Sequence, residues 1–377
     1  MYSIPLTPKP IRIFVNTQLL QQRKQLYYVY PTKQLTSFHI VASKHIQYIS
    51  DRYNIIHVDE NAFQFLDPIP GVSVILHPAL YILERSLSRF QKSKYSQLLA
   101  FDVCDSDRMS DHATYLLNLL DKVAVPSEFC VKVYKDSGVR AKIYRIPHGL
   151  DKEWYEKPNL WETMKNGNID QQLANIYDYK KRTGKKILLF WLWHSADRKG
   201  WAEVAETFKR LKKKRNDITL VVKTVPVAKE PDILLEEVGS DVLKITNWLS
   251  EHDKMALYDL AEINLNFSRG GGFEINCLEA LARGIPCLST DFGSWLDYEH
   301  PSFLIKRGEK VEVLPGNLYH VGYGYKVDVD DAVAKIEDIL DNYEEYKAIA
   351  EEHRQKLKEE FEWSKIAEKI IKMIEER

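Results

Sequence analysis

The sequence predicts an α/β protein of two domains, and three observations carry that expectation. First, short β-branched or aromatic runs alternate with helical patterns along the chain, the signature of parallel sheets covered by helices. Second, 377 residues with 45% hydrophobic and 28% charged side chains are globular in composition and long for one core. Third, the lysine-rich "DYKKRTGKK", residues 178–186, separates two series of such alternation, so the domains are expected to join near residues 150–185.

In the first series the strand candidates are "IRIFVN" (11–16), "SFHIVA" (37–42), "NIIHVD" (54–59), "VSVILH" (72–77), "LLAFDV" (98–103), "KVAVPS" (122–127) and "KIYRIP" (142–147). The second series runs "KILLFWLW", a helix from Gly200, "ITLVVKT", "VLKIT", the helix "HDKMALYDLA", "INLNFS", a glycine loop with its helix, and "PCLSTD". The helix from Gly200 carries Trp201, Val204, Phe208 and Leu211 at spacings of three and four, which defines one buried face. Its "KRLKKKR" end reads as cations complementing a helix C-terminus, which needs no nucleic acid to explain it.

Composition narrows the function classes. A net charge of -1 argues against a nucleic-acid binder. The sign is uneven, however. Residues 1–50 hold six bases (Lys9, Arg12, Arg23, Lys24, Lys33, Lys44) and no acid, whereas residues 331–377 hold fourteen acids against nine bases. A basic N-terminal lobe suits either a solvated face or contact with an anionic acceptor or membrane surface. The longest apolar run, "ILLFWLW" at 187–193, is too short to span a bilayer, and the chain opens without an apolar leader. A cytoplasmic protein is expected, peripheral to a membrane at most. Cys104, Cys130, Cys277 and Cys287 show neither paired nor zinc-like spacing and are read as reduced and structural.

The chemistry concentrates in "SRGGGFEINCLEALARGIP", residues 268–286. A strand, a glycine loop and a helix start present free backbone amides and a positive dipole end to an anion, and glycines let the backbone approach a ligand closely. Glycine loops also serve as plain turns. In register, Ser268, Gly272, Phe273, Leu278, Glu279, Ala280, Ala282, Gly284 and Pro286 match the nucleotide-sugar signature Pro-Ser-x-x-Glu-Gly-Phe-Gly-x-x-x-Leu-Glu-Ala-x-Ala-x-Gly-x-Pro. The stretch thus resembles the GT-B glycosyltransferases, particularly the retaining family 4 (glycosyl transferases group 1). Other segments resemble that family in order: "LDKVAVPSEFCVKVYKDSGVRAKIYRIPHGLD", "ADRKGWAEVAETF", "ITNWLSEHDKMALYDLAEINLNFS" and "FEWSKIAEKIIKMIEE" with Trp363. The likeness runs from about residue 120 to the end; residues 1–118 share only the strand-helix rhythm.

The resemblance implies two Rossmann-like doubly wound domains with a cleft between them. Residues 1–160 would form the acceptor side, 161–355 the nucleotide-sugar domain, and 356–377 a helix returning to the first. It implies a metal-independent hexosyltransferase without a cofactor, whose donor is a UDP- or GDP-type sugar and whose acceptor is a glycan, lipid or protein. Carried over by position, Lys199 contacts the donor diphosphate with Arg198 beside it, Glu279 binds the ribose, and Ser268, Gly271, Gly272 and Phe273 line the phosphates and the transferred sugar.

Departures accompany the match. The first glutamate of the family pair falls on Gly271, and Glu274 stands where the family has glycine. Glu274 is a candidate to take over the sugar contact, alongside the plainer role of an acid at a helix N-terminus. The basic residue before the phosphate-binding lysine falls on Trp193, leaving Arg198 or Arg269 to supply that contact. No acceptor-domain histidine is identifiable, although His112 lies nearby. Two alternatives follow. One is a GT-B-shaped nucleotide- or glycan-binding protein without turnover. The other rests on Asp105-Ser106-Asp107, which satisfies the metal-binding Asp-x-Asp rule of the GT-A fold.

Overall fold

A computed structural model describes residues 23–67, 70–163, 169–192 and 195–376. The first sheet contains β1 (Lys24–Tyr30), β2 (Tyr53–Asp59), β3 (Ser73–Leu76), β4 (Gln97–Phe101), β5 (Lys122–Val125) and β6 (Lys142–Arg145). Its strands are parallel, in the order β2-β1-β3-β4-β5-β6. The second contains β7 (Lys186–Trp191), β8 (Ile218–Lys223), β9 (Val242–Ile245), β10 (Ile263–Asn266), β11 (Cys287–Thr290) and β12 (Leu304–Ile305), parallel in the order β12-β11-β10-β7-β8-β9. Helices cover both sheets, and "ITLVVK" of β8 is buried at every position, as a strand between two helical layers must be. In each sheet the strand order reverses beside its first strand, at β1/β3 and at β7/β10. The carboxyl ends at such a reversal are where open α/β sheets form their ligand crevice.

One expectation needs correction. "SFHIVA" is not a strand but the start of the helix Ser37–Ile49: the Thr36 hydroxyl accepts the His39 N–H, and Ala42, His45, Ile46 and Ile49 turn inward together. Capping and 3.6-residue burial override the β-branched composition of six residues. The strand pairing in its stead is "KQLYYVY" of β1, which the sequence reading passed over. Helix Gln171–Thr183 contains most of "DYKKRTGKK" and stops at Gly184 in the left-handed region. "IRIFVN", Lys9 and Arg12 lie outside the described residues.

Two chain crossings run side by side between the sheets. The Leu150 N–H donates to the Phe361 carbonyl (2.8 Å) and the Trp363 N–H to the Leu150 carbonyl (3.0 Å). A side chain at Gly149 would meet the Phe361 carbonyl at 2.9 Å, so the crossing requires glycine. Helix Trp363–Glu375 turns Trp363, Ile366, Ala367, Ile370, Met373 and Ile374 into the same core cluster as Leu26, Tyr28, Ile75 and Leu99 of the first sheet. A further hairpin, β13 (Arg307–Glu312) and β14 (Tyr323–Val327), reaches back to the loop after β4.

Among the described residues no helix is long and apolar enough to cross a membrane. All four cysteines are buried free thiols. Of the basic N-terminal residues, Lys44 pairs with Asp151 (2.6 Å) and Arg23 donates to the Ser50 carbonyl (2.7 Å), while Lys24 and Lys33 are exposed.

Candidate donor site

The two loops singled out by sequence leave the two strands that flank the second sheet's reversal point. After β7, residues 195–200 close a tight turn: the Lys199 N–H donates to the Ser195 carbonyl (3.0 Å) and the Arg198 N–H to the Ser195 hydroxyl (3.2 Å). Gly200 then enters helix Trp201–Lys212 with φ 73°, and a side chain there would collide with the Phe267 carbonyl at the end of β10. Only glycine allows this approach. The Arg269 N–H donates to the Arg198 carbonyl (2.8 Å), so the β7 loop and the glycine loop are one unit. Trp193 lies outside the described residues.

At the centre stands Glu274. It is the N-cap of helix Ile275–Ala282, yet its side chain caps nothing. Instead the carboxylate, only 4% exposed, pairs with Arg198 (3.2 Å) and more closely with Lys199. Its backbone is fixed by Tyr298, whose hydroxyl lies 3.2 Å from the Glu274 N–H and 2.9 Å from its carbonyl. A side chain built on Gly271 would meet Glu274 Oε1 at 2.5 Å. The Glu274 carboxylate therefore occupies space that a residue 271 side chain would enter. Burial pushes the Lys199 ammonium below the ordinary lysine range, with Glu274 opposing that shift. Arg198 is held above its ordinary value, burial being outweighed by Asp105 and Glu274.

Each glycine of the loop faces something specific. A side chain at Gly270 would strike the Asp105 carbonyl and, at 2.8 Å, Val313; one at Gly272 would meet Val103 at 2.7 Å. The three bare positions are thus demanded by the first domain's 103–105 segment and by Glu274. The Gly272 N–H donates to Asp105 Oδ1 (2.9 Å), and the Gly272 carbonyl accepts the Ser127 hydroxyl (3.1 Å).

The remaining predicted residues lie around this centre. Ser268 is buried at the end of the β10 segment. Phe273 packs edge-on against His148 (centroids 4.9 Å apart) and against Tyr298 (4.8 Å). The His148 Nδ1 is buried without a partner, and burial pushes that imidazole down to about 4. Glu279 turns inward one helical turn beyond Glu274, where Oε1 accepts from Lys254 (2.9 Å) and Oε2 from the Tyr258 hydroxyl (2.8 Å). Burial raises its carboxyl, with Lys254 pulling the other way. Arg269 is turned aside, its guanidinium held by Glu203 (3.0 and 3.2 Å), which leaves Arg198 as the second cation beside Lys199.

The two carboxylates of the Asp-x-Asp stretch have different partners. Asp105 faces Gly272 and lies 4.0 Å from His320, whereas Asp107 accepts the Tyr323 N–H (2.6 Å) and pairs with Lys310 (3.0 Å). The two carboxylates brace two different segments of the second domain. His112 pairs with Glu84 (2.5 Å). Sequence reasoning missed Lys254 and Tyr258, although four residues on one helix place them on one face; Tyr298 and His320 carried no local signal.

Residues 175–356 match the family model of glycosyl transferases group 1. The chain is 29% identical over 364 residues to uncharacterized protein 356 of Sulfolobus islandicus rod-shaped virus 1, covering 94% of this chain and 99% of that one. It is 27% identical over 300 residues to the candidate glycosyltransferase 45 of Sulfolobus islandicus filamentous virus, covering 77% and 76%. Anabaena HepE, solved in complex with UDP-glucose, superposes with a TM-score of 0.68 at 11% identity, over 93% of this chain and 99% of that one. The two-domain architecture is the GT-B fold.

Proposed function

We propose that this protein is a retaining, metal-independent glycosyltransferase that takes a sugar from a UDP- or GDP-type donor held by the second domain and passes it to an acceptor on the first. One observation carries the reading: the buried Glu274 and the partly buried Arg198 and Lys199 form a charged triad between the two loops that leave β7 and β10. In the reaction the bond from the anomeric carbon to the diphosphate oxygen breaks and its electron pair stays with the diphosphate. The acceptor hydroxyl oxygen bonds to that carbon, and its proton goes to the departing phosphate. Fixed cations stabilise the charge that grows on the leaving group without reorganising at that moment. Lys199 and Arg198 are proposed for this task, with the amides of the glycine loop adding dipoles. Glu274 holds the two cations in place and contacts the transferred sugar. Glu279 reaches the ribose by exchanging its bond from Lys254 or Tyr258, and the HepE complex supports a UDP-sugar as the first donor to test. Arg198 and Lys199 supply the positive charge that a divalent ion supplies elsewhere.

Incubating purified protein with UDP-, GDP- and ADP-sugars tests this directly, with proton NMR of the product reading the anomeric configuration. Absence of both transfer and donor hydrolysis, with nucleotide still bound, would instead indicate a binding protein. Lys199→Ala is expected to weaken nucleoside-diphosphate binding about tenfold, near 1.5 kcal/mol, the low end for a charged hydrogen bond. Calorimetry on a variant with wild-type melting temperature checks it, and unchanged affinity removes Lys199 from the site. Transfer is further expected to persist in EDTA. Loss in EDTA with recovery in Mn²⁺ would return the assignment to Asp105 and Asp107.

A further inference from the structure

The Asp105 carboxylate has no role in the transfer just described, yet it stands within the triad's field. It belongs to the first domain, on the loop after β4, and its Oδ1 accepts the Gly272 N–H at 2.9 Å. That amide belongs to the glycine loop leading to helix Ile275–Ala282, the kind of donor that binds phosphate oxygens. Although burial opposes ionisation, Arg198, His320, the Gly272 amide and Lys199 together hold the Asp105 carboxyl below the ordinary range. The His320 Nδ1 lies 3.4 Å from the Asp105 N–H, and burial lowers the affinity of that imidazole for a proton. Arg198 itself donates to the Gly270 carbonyl (2.9 Å), two residues from that amide, so the Asp105 carboxylate stands against the same loop as the triad of Glu274, Arg198 and Lys199.

The loop does not reach this position by chance. Its carbonyl at Asp105 presses on Gly270, and Val103 on Gly272. From the other side the β13–β14 hairpin fastens it: the Asp107 N–H donates to the Tyr323 carbonyl (3.0 Å), the Val321 N–H to the Arg108 carbonyl (3.2 Å), and the Ser110 N–H to the Tyr319 carbonyl (2.8 Å). A chain so held delivers its carboxylate to one place.

We propose that Asp105 is a further residue of the donor site, an internal anion that occupies the position of the donor's terminal phosphate and is displaced when a nucleoside diphosphate binds. The inference rests on the donor-site reading above. Its chemical consequence concerns the end of the reaction. A diphosphate left behind by transfer competes with a carboxylate tethered to the same amide, in the field of the same two cations, so Asp105 weakens product binding and assists product release.

The test compares wild type with Asp105→Asn and Asp107→Asn by calorimetric titration with UDP, GDP and ADP and with the corresponding monophosphates. Asparagine keeps the shape and can still accept the Gly272 N–H, so only the charge is removed. Asp105→Asn is expected to bind the preferred diphosphate at least tenfold more tightly, with monophosphate affinity changed less than twofold. Asp107→Asn, which frees the Tyr323 and Lys310 end of the same loop, is expected to leave the diphosphate affinity at the wild-type value. Equal tightening in both variants means that loosening the loop is the cause and overturns the proposal. Unchanged or weaker binding in Asp105→Asn overturns it while leaving the donor site intact. Failure of all three proteins to bind any nucleotide removes the donor reading itself, and the proposal with it. Should Asp105→Asn not fold, Asp105→Ser, which also lacks the charge, carries the same expectations.

Discussion

Glu274→Gln is expected to lower turnover about a hundredfold or more, roughly 2.7 kcal/mol of transition-state stabilisation, while nucleoside-diphosphate affinity does not fall. The geometry separates this from an effect on the helix dipole. A carboxylate that served only the dipole would sit near the free amides of the first turn in water, and its loss would cost about 0.3 to 1 kcal/mol of stability. Glu274 instead caps no amide, is buried, and holds both Arg198 and Lys199. Glutamine keeps the shape and removes the charge that orients the two cations. Phosphate binding then gains from cations with one competitor fewer, whereas the sugar loses an ionised acceptor. The kinetic signature is a fall in kcat with KM unchanged or lower. Undiminished kcat per folded molecule would restrict Glu274 to structure.

The same geometry corrects the obvious repair. Restoring the family glutamate by Gly271→Glu alone drives a new side chain into Glu274 Oε1, 2.5 Å from where its Cβ would stand. The double exchange Gly271→Glu with Glu274→Gly removes that conflict and is expected to recover turnover above that of Glu274→Gln. One carboxylate fits this space, from either side of the loop.

What was legible in the sequence follows from the range of each signal. Parallel strands buried on both faces announce themselves locally, as "KILLFW" and "ITLVVK" do, and so does a glycine loop before a helix. The start of the chain misled because "SFHIVA" has strand composition over six residues while its burial repeats with helical period over thirteen. In the site, Lys199 and Glu279 come from a resemblance and Glu274 from a departure, each within a short motif that follows a strand. Asp105 was visible only as half of an Asp-x-Asp pair, because its partners Gly272 and His320 lie 167 and 215 residues away. Side chains that work across a domain boundary have no sequence period to betray them. The residue that binds the motif's end to the interdomain linker was overlooked for the same reason.

That residue is Arg283, and Arg283→Ala is expected to cost about 3 to 5 kcal/mol of stability, the range for removing one partner of a buried ion pair. Its side chain is 1% exposed, and it meets Asp259, itself 3% exposed, through Nε (2.9 Å) and Nη2 (2.8 Å). The remaining donors go to the Trp154, Lys157 and Pro158 carbonyls (3.1, 2.9 and 2.9 Å). Alanine would leave a buried carboxylate without its cation and the Trp154 and Pro158 carbonyls without this donor, while the Lys157 carbonyl keeps its bond from Arg354 (3.0 Å), with no room given to water except the cavity left behind. Asp259 also accepts the Leu160 N–H (2.8 Å), so the loss spreads into the segment that follows the first crossing. Lysine is not an adequate substitute, because a single ammonium lacks the planar fork that serves a carboxylate and three carbonyls together. Denaturant titration is expected to show a lower midpoint for Arg283→Ala and an intermediate one for Arg283→Lys. The double variant Arg283→Met/Asp259→Leu, which removes both charges, is expected to lie closer to wild type than Arg283→Ala. An unfolding free energy for Arg283→Ala within about 0.5 kcal/mol of wild type would mean that the linker and the signature helix are held together by their apolar contacts alone.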